Sequence, residues 1–274
     1  MRELASPEHA RVLLLATAMS WQGTESFHDE GFGFDAFGLH PPSLASALRV
    51  SAPLYERYFR VESTGAERIP ARGPVILVAN HGGVLPVDAA ILSLDVLRHT
   101  QRIPRPITDH FVPRLPIAST LLARLGVVSG TRANVRHLLE RGELITIFPE
   151  GVTGPAKRYR DRYQIQSWRV GFAELAIRYG ATVVPVAIIG AEESWPLLGK
   201  VGAHVFGAPY IPIPASPIPL PTRLHLHYGA PIELGCPPSA ADDPEAVATA
   251  AATVRRALED EIAVALAFRT GVFR

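Results

Sequence analysis

The chain has 274 residues, of which 47% are hydrophobic and 19% charged, a composition typical of a globular protein and not of a disordered or fibrous one. The net charge of +1 argues against a nucleic-acid-binding protein. The single cysteine, Cys236, excludes an internal disulfide and a cysteine-rich metal site, so we expect a reducing compartment and no bound metal. Apolar runs fall short of the ~18 residues that a membrane-spanning helix needs.

The first 54 residues are predicted to form an arm that precedes the main domain of residues 55–274. Residues 12–19 favour a short amphipathic helix over a signal peptide, and the hydrophobic spacing predicts a second helix over 44–59. Between them, residues 27–37 form a glycine-containing loop that carries Phe32 and Phe34. These phenylalanines either complete the core or leave an aromatic surface that caps a groove or touches lipid.

The main domain alternates short apolar runs with amphipathic segments. Strands are predicted over residues 74–79, 144–148, 182–189 and 224–228, and helices over 87–98, 111–125, 134–140 and 168–179. This alternation predicts an α/β fold with a mostly parallel central sheet flanked by helices. The last strand alternates polar and apolar residues, which predicts a half-exposed strand at the edge of the sheet.

The C-terminal part of the chain has a different composition. Six prolines between residues 209 and 221 forbid a helix and predict an extended surface connection. Residues 244–268 are rich in alanine and predict an amphipathic helix that packs back on the domain.

Residues able to carry out chemistry follow the first of these strands. The strand leads into Asn80, His81 and a glycine pair, Gly82 and Gly83, and Asp88 lies on the helix that comes next. A histidine with a pKa of about 6.5 suits removal of a proton from a hydroxyl group, and a carboxylate can hold its other ring nitrogen in the required tautomer. The segment therefore predicts a general base with its orienting acid.

Two further strands end in acidic, glycine-containing loops. Glu150 follows the strand at 144–148, and Glu192 with Glu193 follows the strand at 182–189. Because the carboxyl ends of parallel strands share one edge of the sheet, the three loops are predicted to converge on one cleft. Arg132, near a helix start, is a candidate anion-binding residue. Each residue also has a structural interpretation, with Glu150 as a turn residue and Glu192 and Glu193 as partners of the helix dipole.

Four segments together resemble the four motifs of the lysophospholipid and glycerolipid acyltransferase superfamily. They are residues 80–88, 126–132, 148–151 and 184–190, and their order and spacing match the family over roughly residues 55–235. The branch that looks closest contains bacterial proteins similar to monoacylglycerol and diacylglycerol acyltransferases. In the family pattern four residues separate the histidine from the aspartate, whereas six separate His81 from Asp88. We expect the glycine pair to loop out the extra length.

The resemblance implies transfer of a fatty acyl group from acyl-CoA or acyl-carrier protein to a lipid hydroxyl, with no further cofactor. The acceptor would be lysophosphatidic acid, monoacylglycerol or diacylglycerol. In this scheme His81 removes the proton of the acceptor and Asp88 orients its ring, without an acyl-enzyme. Backbone amides near Gly82 and Gly83 would stabilise the oxyanion.

The resemblance also implies a set of substrate-binding residues. Arg132 would bind an acceptor phosphate, and Glu150 with Gly151 would position the acceptor. The complete predicted set is Asn80, Gly82, Gly83, Arg132, Glu150, Gly151 and Thr153. A basic run after the third motif, Lys157, Arg158, Arg160 and Arg162, is either a solvated loop or a contact for anionic lipid, CoA phosphates or an acidic carrier protein.

Two other functions stay open at the level of the sequence. The first is an esterase or thioesterase that uses the same histidine and aspartate with water as acceptor, although the Gly-x-Ser-x-Gly sequence of serine hydrolases is missing. The second is a non-catalytic lipid-binding protein on the same scaffold. For the acyltransferase we expect a cytoplasmic protein, peripheral at the inner face of the cell membrane.

Overall fold

A computed structural model describes residues 27–84, 86–100, 102–202 and 207–273; the helix predicted over 12–19 lies outside them. The strands are β1 (Glu62–Thr64), β2 (Val75–Ala79), β3 (Pro104–Thr108), β4 (Val128–Ser129), β5 (Leu144–Ile147), β6 (Thr182–Ile189), β7 (Leu197–Val201), β8 (Ile211–Pro214) and β9 (His225–Tyr228). The helices are α1 (Pro41–Pro53), α2 (Val87–His99), α3 (Ala118–Arg124), α4 (Arg132–Glu140), α5 (Gly171–Tyr179), α6 (Ala191–Ser194) and α7 (Pro244–Phe268).

Seven of these strands form the central sheet, in the order β1-β9-β6-β2-β5-β3-β4. Every pairing is parallel except that of β6 with β9, so the predicted mostly parallel sheet is confirmed. Strands β2, β5 and β6 lie in its interior, which explains their nearly continuous apolar sequences. One buried core cluster includes residues of α4, α5 and α7, and another includes residues of α2, so helices cover both faces.

The prediction that the last strand is an edge is wrong. β9 lies between β1 and β6, and β1 is the edge on that side. The polar residues of β9 have partners instead of open solvent: His227 Nε2 lies 2.9 Å from Glu261 Oε2 of α7, and His225 Nδ1 lies 3.1 Å from Glu62 Oε2 of β1. The alternation therefore reflects one apolar face and one face that packs through contacts between histidines and carboxylates.

Several predicted helices have different boundaries in the structure. The helix expected over 111–125 is confirmed only for α3, because Pro113 and Pro116 precede it and Ile117 has a φ of 62°. The helix expected over 168–179 starts at Gly171, and the one over 44–59 is α1 followed by a π-helical turn, Leu54–Tyr58. The proline-rich stretch contains β8, which pairs with β7 in an antiparallel hairpin.

The described part of the arm packs near the amino ends of the parallel strands. Asp35 Oδ2 lies 2.5 Å from Nη1 of the buried Arg105, the second residue of β3, and Leu44 and Leu48 belong to a core cluster with Leu97. Only part of the aromatic loop is solvent-exposed, since Phe32 is exposed while the ring of Phe34 stacks on His40. These contacts place the described residues of the arm at the end of the sheet opposite the strand carboxyl ends.

A buried carboxylate, Asp95 of α2, connects several elements below the sheet's carboxyl edge. Its oxygens accept hydrogen bonds from the hydroxyls of Tyr55, Ser63 and Tyr228, which belong to the turn after α1, to β1 and to β9. Its Oδ1 also lies 3.3 Å from His99 Nδ1. Asp95 thus ties α2 to the far strands of the sheet.

Candidate active site

The order of the strands brings three loops together. β2 has β5 on one side and β6 on the other, so the loops that follow them leave the same edge of the sheet side by side. The backbone N–H of His81 donates to Glu150 Oε1 at 3.1 Å, and Lys157 Nζ lies 2.7 Å from Glu192 Oε1. The predicted convergence of the three strand ends is confirmed.

Asn80 anchors the first loop to β6. Its Nδ2 donates to the carbonyl oxygen of Ile188 at 2.9 Å, and its Oδ1 accepts from the N–H of Ile188 at 2.7 Å. Both functions of the buried amide are thus used within the protein. Asn80 was predicted to bind substrate, whereas the structure gives it contacts that hold the loop at the point where the chain leaves β2.

His81 and Asp88 are in direct contact. His81 Nδ1 lies 2.6 Å from Asp88 Oδ2, even though six residues separate them. The ring packs on Phe148 with 4.5 Å between centroids, and the side chain keeps 15% of its surface exposed. The nitrogen that Asp88 leaves unbound, Nε2, is therefore the one that can exchange a proton with a substrate.

The glycine pair allows the tight return of the loop. Gly83 has a φ of 92°, a conformation that residues with a side chain rarely adopt. The N–H of Gly82 donates to Asp88 Oδ2 at 2.9 Å, and a Cβ atom at Gly82 would lie 2.0 Å from Glu192 Cγ. The amide of Gly82 is therefore occupied by Asp88 and is not the oxyanion donor that the sequence suggested.

Opposing effects set the pKa of His81. Burial alone would lower it, but the charge and hydrogen bond of Asp88, together with the charge of Glu150, outweigh burial and raise the pKa above its ordinary value. The positive charge of Lys157 acts in the opposite direction. The ring is consequently a stronger base than an isolated histidine.

Glu150 is fully buried and holds the second loop in place. Its Oε1 accepts from His81 N and from Lys157 Nζ, 3.1 Å away in each case, and its Oε2 accepts from Gln166 N at 3.0 Å. Thr153 Oγ1 donates to the carbonyl oxygen of Glu150 at 2.6 Å. Glu150 and Thr153, predicted to bind substrate, thus shape the loop that carries them.

Glycines give this loop its close contacts. A Cβ atom at Gly151 would lie 2.8 Å from the Arg169 guanidinium carbon, and one at Gly154 would lie 2.8 Å from His81 Cβ. Gly154 therefore packs directly against the histidine. Gly151 was predicted as a binding residue, whereas Gly154 was missed.

Lys157 corrects the prediction for the basic run. Its side chain is only 3% exposed, and Nζ lies 3.1 Å from Glu150 Oε1 and 2.7 Å from Glu192 Oε1. A buried ammonium held by two carboxylates cannot serve as a surface contact. Burial raises the pKa of Glu192, an effect that Lys157 and the N–H of Tyr163 oppose.

The rest of the basic run faces outward. Arg158 is exposed, the Arg160 side chain is 73% exposed, and Arg162 Nε lies 3.5 Å from Glu193 Oε1. Glu193 also accepts from the Tyr163 hydroxyl at 2.6 Å and from Arg269 Nη1 at 2.5 Å. This third loop is thereby tied to the residue that follows α7.

Arg132 lies away from these contacts. It begins α4, which follows the edge strand β4, whereas the histidine follows β2 in the interior of the sheet. Its guanidinium is 85% exposed and lies 3.5 Å from Glu174 Oε2 of α5. The structure does not bring Arg132 into the described hydrogen-bonding network of His81.

A pocket opens where the three loops meet. Its lining comes from each loop and from the hairpin, and includes Gly83, Gly154, Lys157, Arg158, Glu192, Trp195 and Leu197. Gly154 contacts His81, as described above, so the pocket lies beside the histidine.

Sequence reasoning named Lys157 and Glu192 but did not predict that they pair. Lys157 is one of only two lysines in a chain that otherwise uses arginine, a difference that sets it apart from the other members of the basic run. Glu192 was predicted to lie in a loop at the cleft, with a structural interpretation as a partner of the helix dipole. Its position opposite Gly82 could not be inferred from spacing alone.

Comparison with known proteins decides the family. The family model described as Acyltransferase matches residues 60–189, which include the first three motif segments and most of the fourth. An uncharacterized protein of Mycobacterium leprae is 35% identical over 254 residues, covering 87% of this chain and 69% of that protein. The chain belongs to the glycerolipid acyltransferase superfamily.

Two further comparisons are consistent with this acyltransferase family. The "DGAT1/2-independent enzyme synthesizing storage lipids" of Bos taurus is 31% identical over 178 residues, 62% of this chain and 52% of that protein. The crystal structure of the 1-acyl-sn-glycerophosphate (LPA) acyltransferase PlsC from Thermotoga maritima shares the fold, with a TM-score of 0.56 and 18% identity over 83% of this chain and 81% of that one. The family, the fold and the O-acyltransferase class predicted from the sequence are confirmed.

The structure adds one finding about membranes. Within the described ranges, none of the helices combines the length and the apolar character that crossing a bilayer requires.

Proposed function

We propose that this acyltransferase moves a fatty acyl group from acyl-CoA or acyl-carrier protein to the hydroxyl of a neutral glycerolipid, with His81 as general base. The observation that carries the proposal is the 2.6 Å contact between His81 Nδ1 and Asp88 Oδ2 beside a pocket formed by three strand ends. This contact fixes the proton on Nδ1 and leaves Nε2 as a base.

In the proposed reaction, His81 Nε2 removes the proton of the acceptor hydroxyl as its oxygen attacks the thioester carbonyl carbon. Asp88 stabilises the imidazolium that forms. When the tetrahedral intermediate collapses, the carbon–sulfur bond breaks and the sulfur takes the proton from His81. The products are an ester and a free thiol, and the histidine returns to its neutral form without an acyl-enzyme.

The charges around His81 favour a neutral acceptor, such as monoacylglycerol or diacylglycerol, over lysophosphatidic acid. Asp88, Glu150 and Glu192 are buried carboxyl groups, and Lys157 is already paired with two of them. A phosphate placed beside them would meet negative charge, and Lys157 is not free to balance it. Arg132, predicted to bind that phosphate, is exposed and paired with Glu174.

The donor is the anionic partner in this proposal. Arg158 is exposed and lines the pocket, where it suits the phosphate groups that acyl-CoA and the carrier-protein arm both carry. We further propose that the enzyme works at the inner face of the cell membrane, since its acceptor is a lipid.

The test is an acyl-transfer assay with lipid mass spectrometry, in which acyl-CoA or acyl-carrier protein is combined with monoacylglycerol, diacylglycerol or lysophosphatidic acid. An ester formed with a neutral acceptor supports the proposal, and an ester formed only with lysophosphatidic acid contradicts the choice of acceptor. Free fatty acid without ester would indicate a hydrolase. Unchanged thioester would indicate a lipid-binding protein.

His81→Ala tests the assigned base. We expect turnover to fall by about two to four orders of magnitude, the usual contribution of a general base. His28→Ala is the matched control, because His28 is exposed at the start of the described chain. Circular dichroism and thermal unfolding verify that both variants fold; unchanged turnover in a folded His81→Ala protein would remove His81 from the mechanism.

A further inference from the structure

Glu192 places a buried carboxylate in the wall of the pocket. It lines the pocket together with Gly83, Gly154 and Lys157, and its side chain is only 6% exposed. Oε2 accepts a hydrogen bond from Tyr163 N at 2.8 Å. Oε1 lies 2.7 Å from Lys157 Nζ in an ion pair, but no group in the described part of the chain donates an aligned hydrogen bond to it. Because a carboxylate oxygen can accept two hydrogen bonds, Oε1 keeps acceptor capacity for a ligand.

This acceptor atom lies against the loop that carries the proposed base. A Cβ atom at Gly82 would lie 2.9 Å from Glu192 Oε1, so the carboxylate packs on the backbone of the residue that follows His81. From another loop, Gly154 packs against His81 Cβ and also lines the pocket. A ligand that donates a hydrogen bond to Oε1 is therefore held beside the histidine loop.

Apolar side chains also line the pocket. They include Trp195 and Leu197, and the indole nitrogen of Trp195 is already used, because Nε1 donates to the carbonyl oxygen of Ser216 at 2.8 Å. Both side chains therefore offer hydrocarbon contact to a ligand. A pocket with a carboxylate acceptor and hydrocarbon surface suits a molecule that has hydroxyl groups and an apolar chain. The same carboxylate disfavours a phosphate placed next to it, because the two charges repel each other.

We propose that Glu192 selects the acceptor, by accepting a hydrogen bond from a second hydroxyl of the acceptor while the first hydroxyl reacts at His81. This inference rests on the proposed function and narrows its acceptor to a monoacylglycerol, which has two free hydroxyls. Diacylglycerol has a single hydroxyl, which the reaction uses, and so it leaves Glu192 Oε1 without a donor. A buried acceptor atom without a partner is costly, so the carboxylate favours the diol.

The experiment compares kcat/KM for acceptors that differ by one hydroxyl. The acceptors are a monoacylglycerol and the monoesters of the same fatty acid with propylene glycol and with trimethylene glycol, which keep the secondary and the primary hydroxyl, respectively. For the wild type we expect kcat/KM to be at least about tenfold higher for the monoacylglycerol than for the better monoester. Glu192→Gln keeps the size of the side chain but removes its charge, and it should reduce this ratio at least about fivefold. A purely structural role would lower kcat/KM for all three acceptors together and leave the ratio unchanged.

Glu150→Gln is the matched control, because it removes a carboxylate from the same lysine. Both oxygens of Glu150 already accept hydrogen bonds within the protein, so this variant should lower kcat/KM for every acceptor and keep the wild-type ratio. An equal loss of the ratio in Glu150→Gln, or an unchanged ratio in folded Glu192→Gln, would overturn the inference.

The wild type alone also decides the matter, even where a variant fails to fold. Equal kcat/KM for the monoacylglycerol and the monoesters would overturn the selection by Glu192, while the esters that form would leave the proposed function intact. Formation of ester from none of these neutral acceptors would overturn both.

Discussion

The protonation of a single imidazole depends on the carboxylate that contacts its ring. Asp88 is fully buried, and its Oδ2 receives both His81 Nδ1 and the N–H of Gly82. Burial favours the neutral ring, but the charge and hydrogen bond of Asp88 and the charge of Glu150 together outweigh it and raise the pKa of His81. Only the neutral ring can accept a proton, so acyl transfer should increase as the pH rises through this raised pKa.

Asp88→Asn should change both the level and the pH dependence of the reaction. Without the carboxylate charge the pKa of His81 falls, so the rising limb of the plot of kcat/KM against pH moves to lower pH. The asparagine amide can also donate to Nδ1 and place the proton on Nε2, and a comparable change in a serine protease triad costs about 10⁴ in turnover. The measurement is a pH–rate profile, with Asp260→Asn on the exposed side of α7 as control; a limb at the wild-type pH would contradict the assignment.

At the scale of elements, the loops after β5 and β6 are joined through one buried ammonium. Lys157 lies in the loop after β5 and pairs with Glu150 of that loop and Glu192 of the other. Glu150 in turn accepts the N–H of His81 in the loop after β2. The three loops therefore share one charge network, and loss of its cation leaves two carboxylates buried without compensation.

Lys157→Met should destabilise the protein by about 3–5 kcal/mol, the cost of removing one partner from a buried ion pair. Arg160→Met is the control from the same basic run, and because that side chain is 73% exposed its effect should stay within about 0.5 kcal/mol. Denaturant unfolding measures both. The double variant K157M/E192Q should recover part of the lost stability. Equal stability of Lys157→Met and Arg160→Met would rule out the buried network.

At the scale of the whole molecule, the interior of the sheet was predictable from the sequence. β2, β5 and β6 are buried on both faces, so their apolar runs carry the signal. β1 and β4 have three and two residues, and β3 begins with two prolines among its first three residues. These short strands form because neighbouring strands of the sheet pair with them. The hydrophobic pattern along the chain does not reveal those pairings.

The candidate site, like the sheet, was predictable from the sequence only in part. His81 and Asp88 were predictable because a strand end followed by a helix start limits where such a pair can meet. The burial of the Lys157 side chain was not predictable, because a lysine in a run of arginines is typical of a solvated loop. Its burial depends on two carboxylates that approach it from different loops, and only the assembled sheet brings them together.

Tyr228→Phe tests the contact that joins distant parts of the fold. The hydroxyl donates to Asp95 Oδ2 at 2.7 Å, and burial and Asp95 both raise the pKa of this tyrosine. A hydrogen bond to a charged group contributes about 1.5–3 kcal/mol, and the free energy of unfolding should decrease by that amount. Tyr159→Phe, at a tyrosine that is 45% exposed, should change it by less than about 0.5 kcal/mol; equal unfolding midpoints for the two variants would contradict the role of Asp95.

Asp88 and Asp95 are seven residues apart on α2, close to two full turns, so they project from the same side of the helix about 10 Å apart along its axis. One accepts from the histidine loop and the other from β1, β9 and the turn after α1. Contacts at these two points along α2 fix both the axial position and the rotation of the helix. The separation of acid and base is thus set before any substrate arrives. Hydroxyl groups far from the site hold α2 in place, and α2 in turn positions Asp88 against His81.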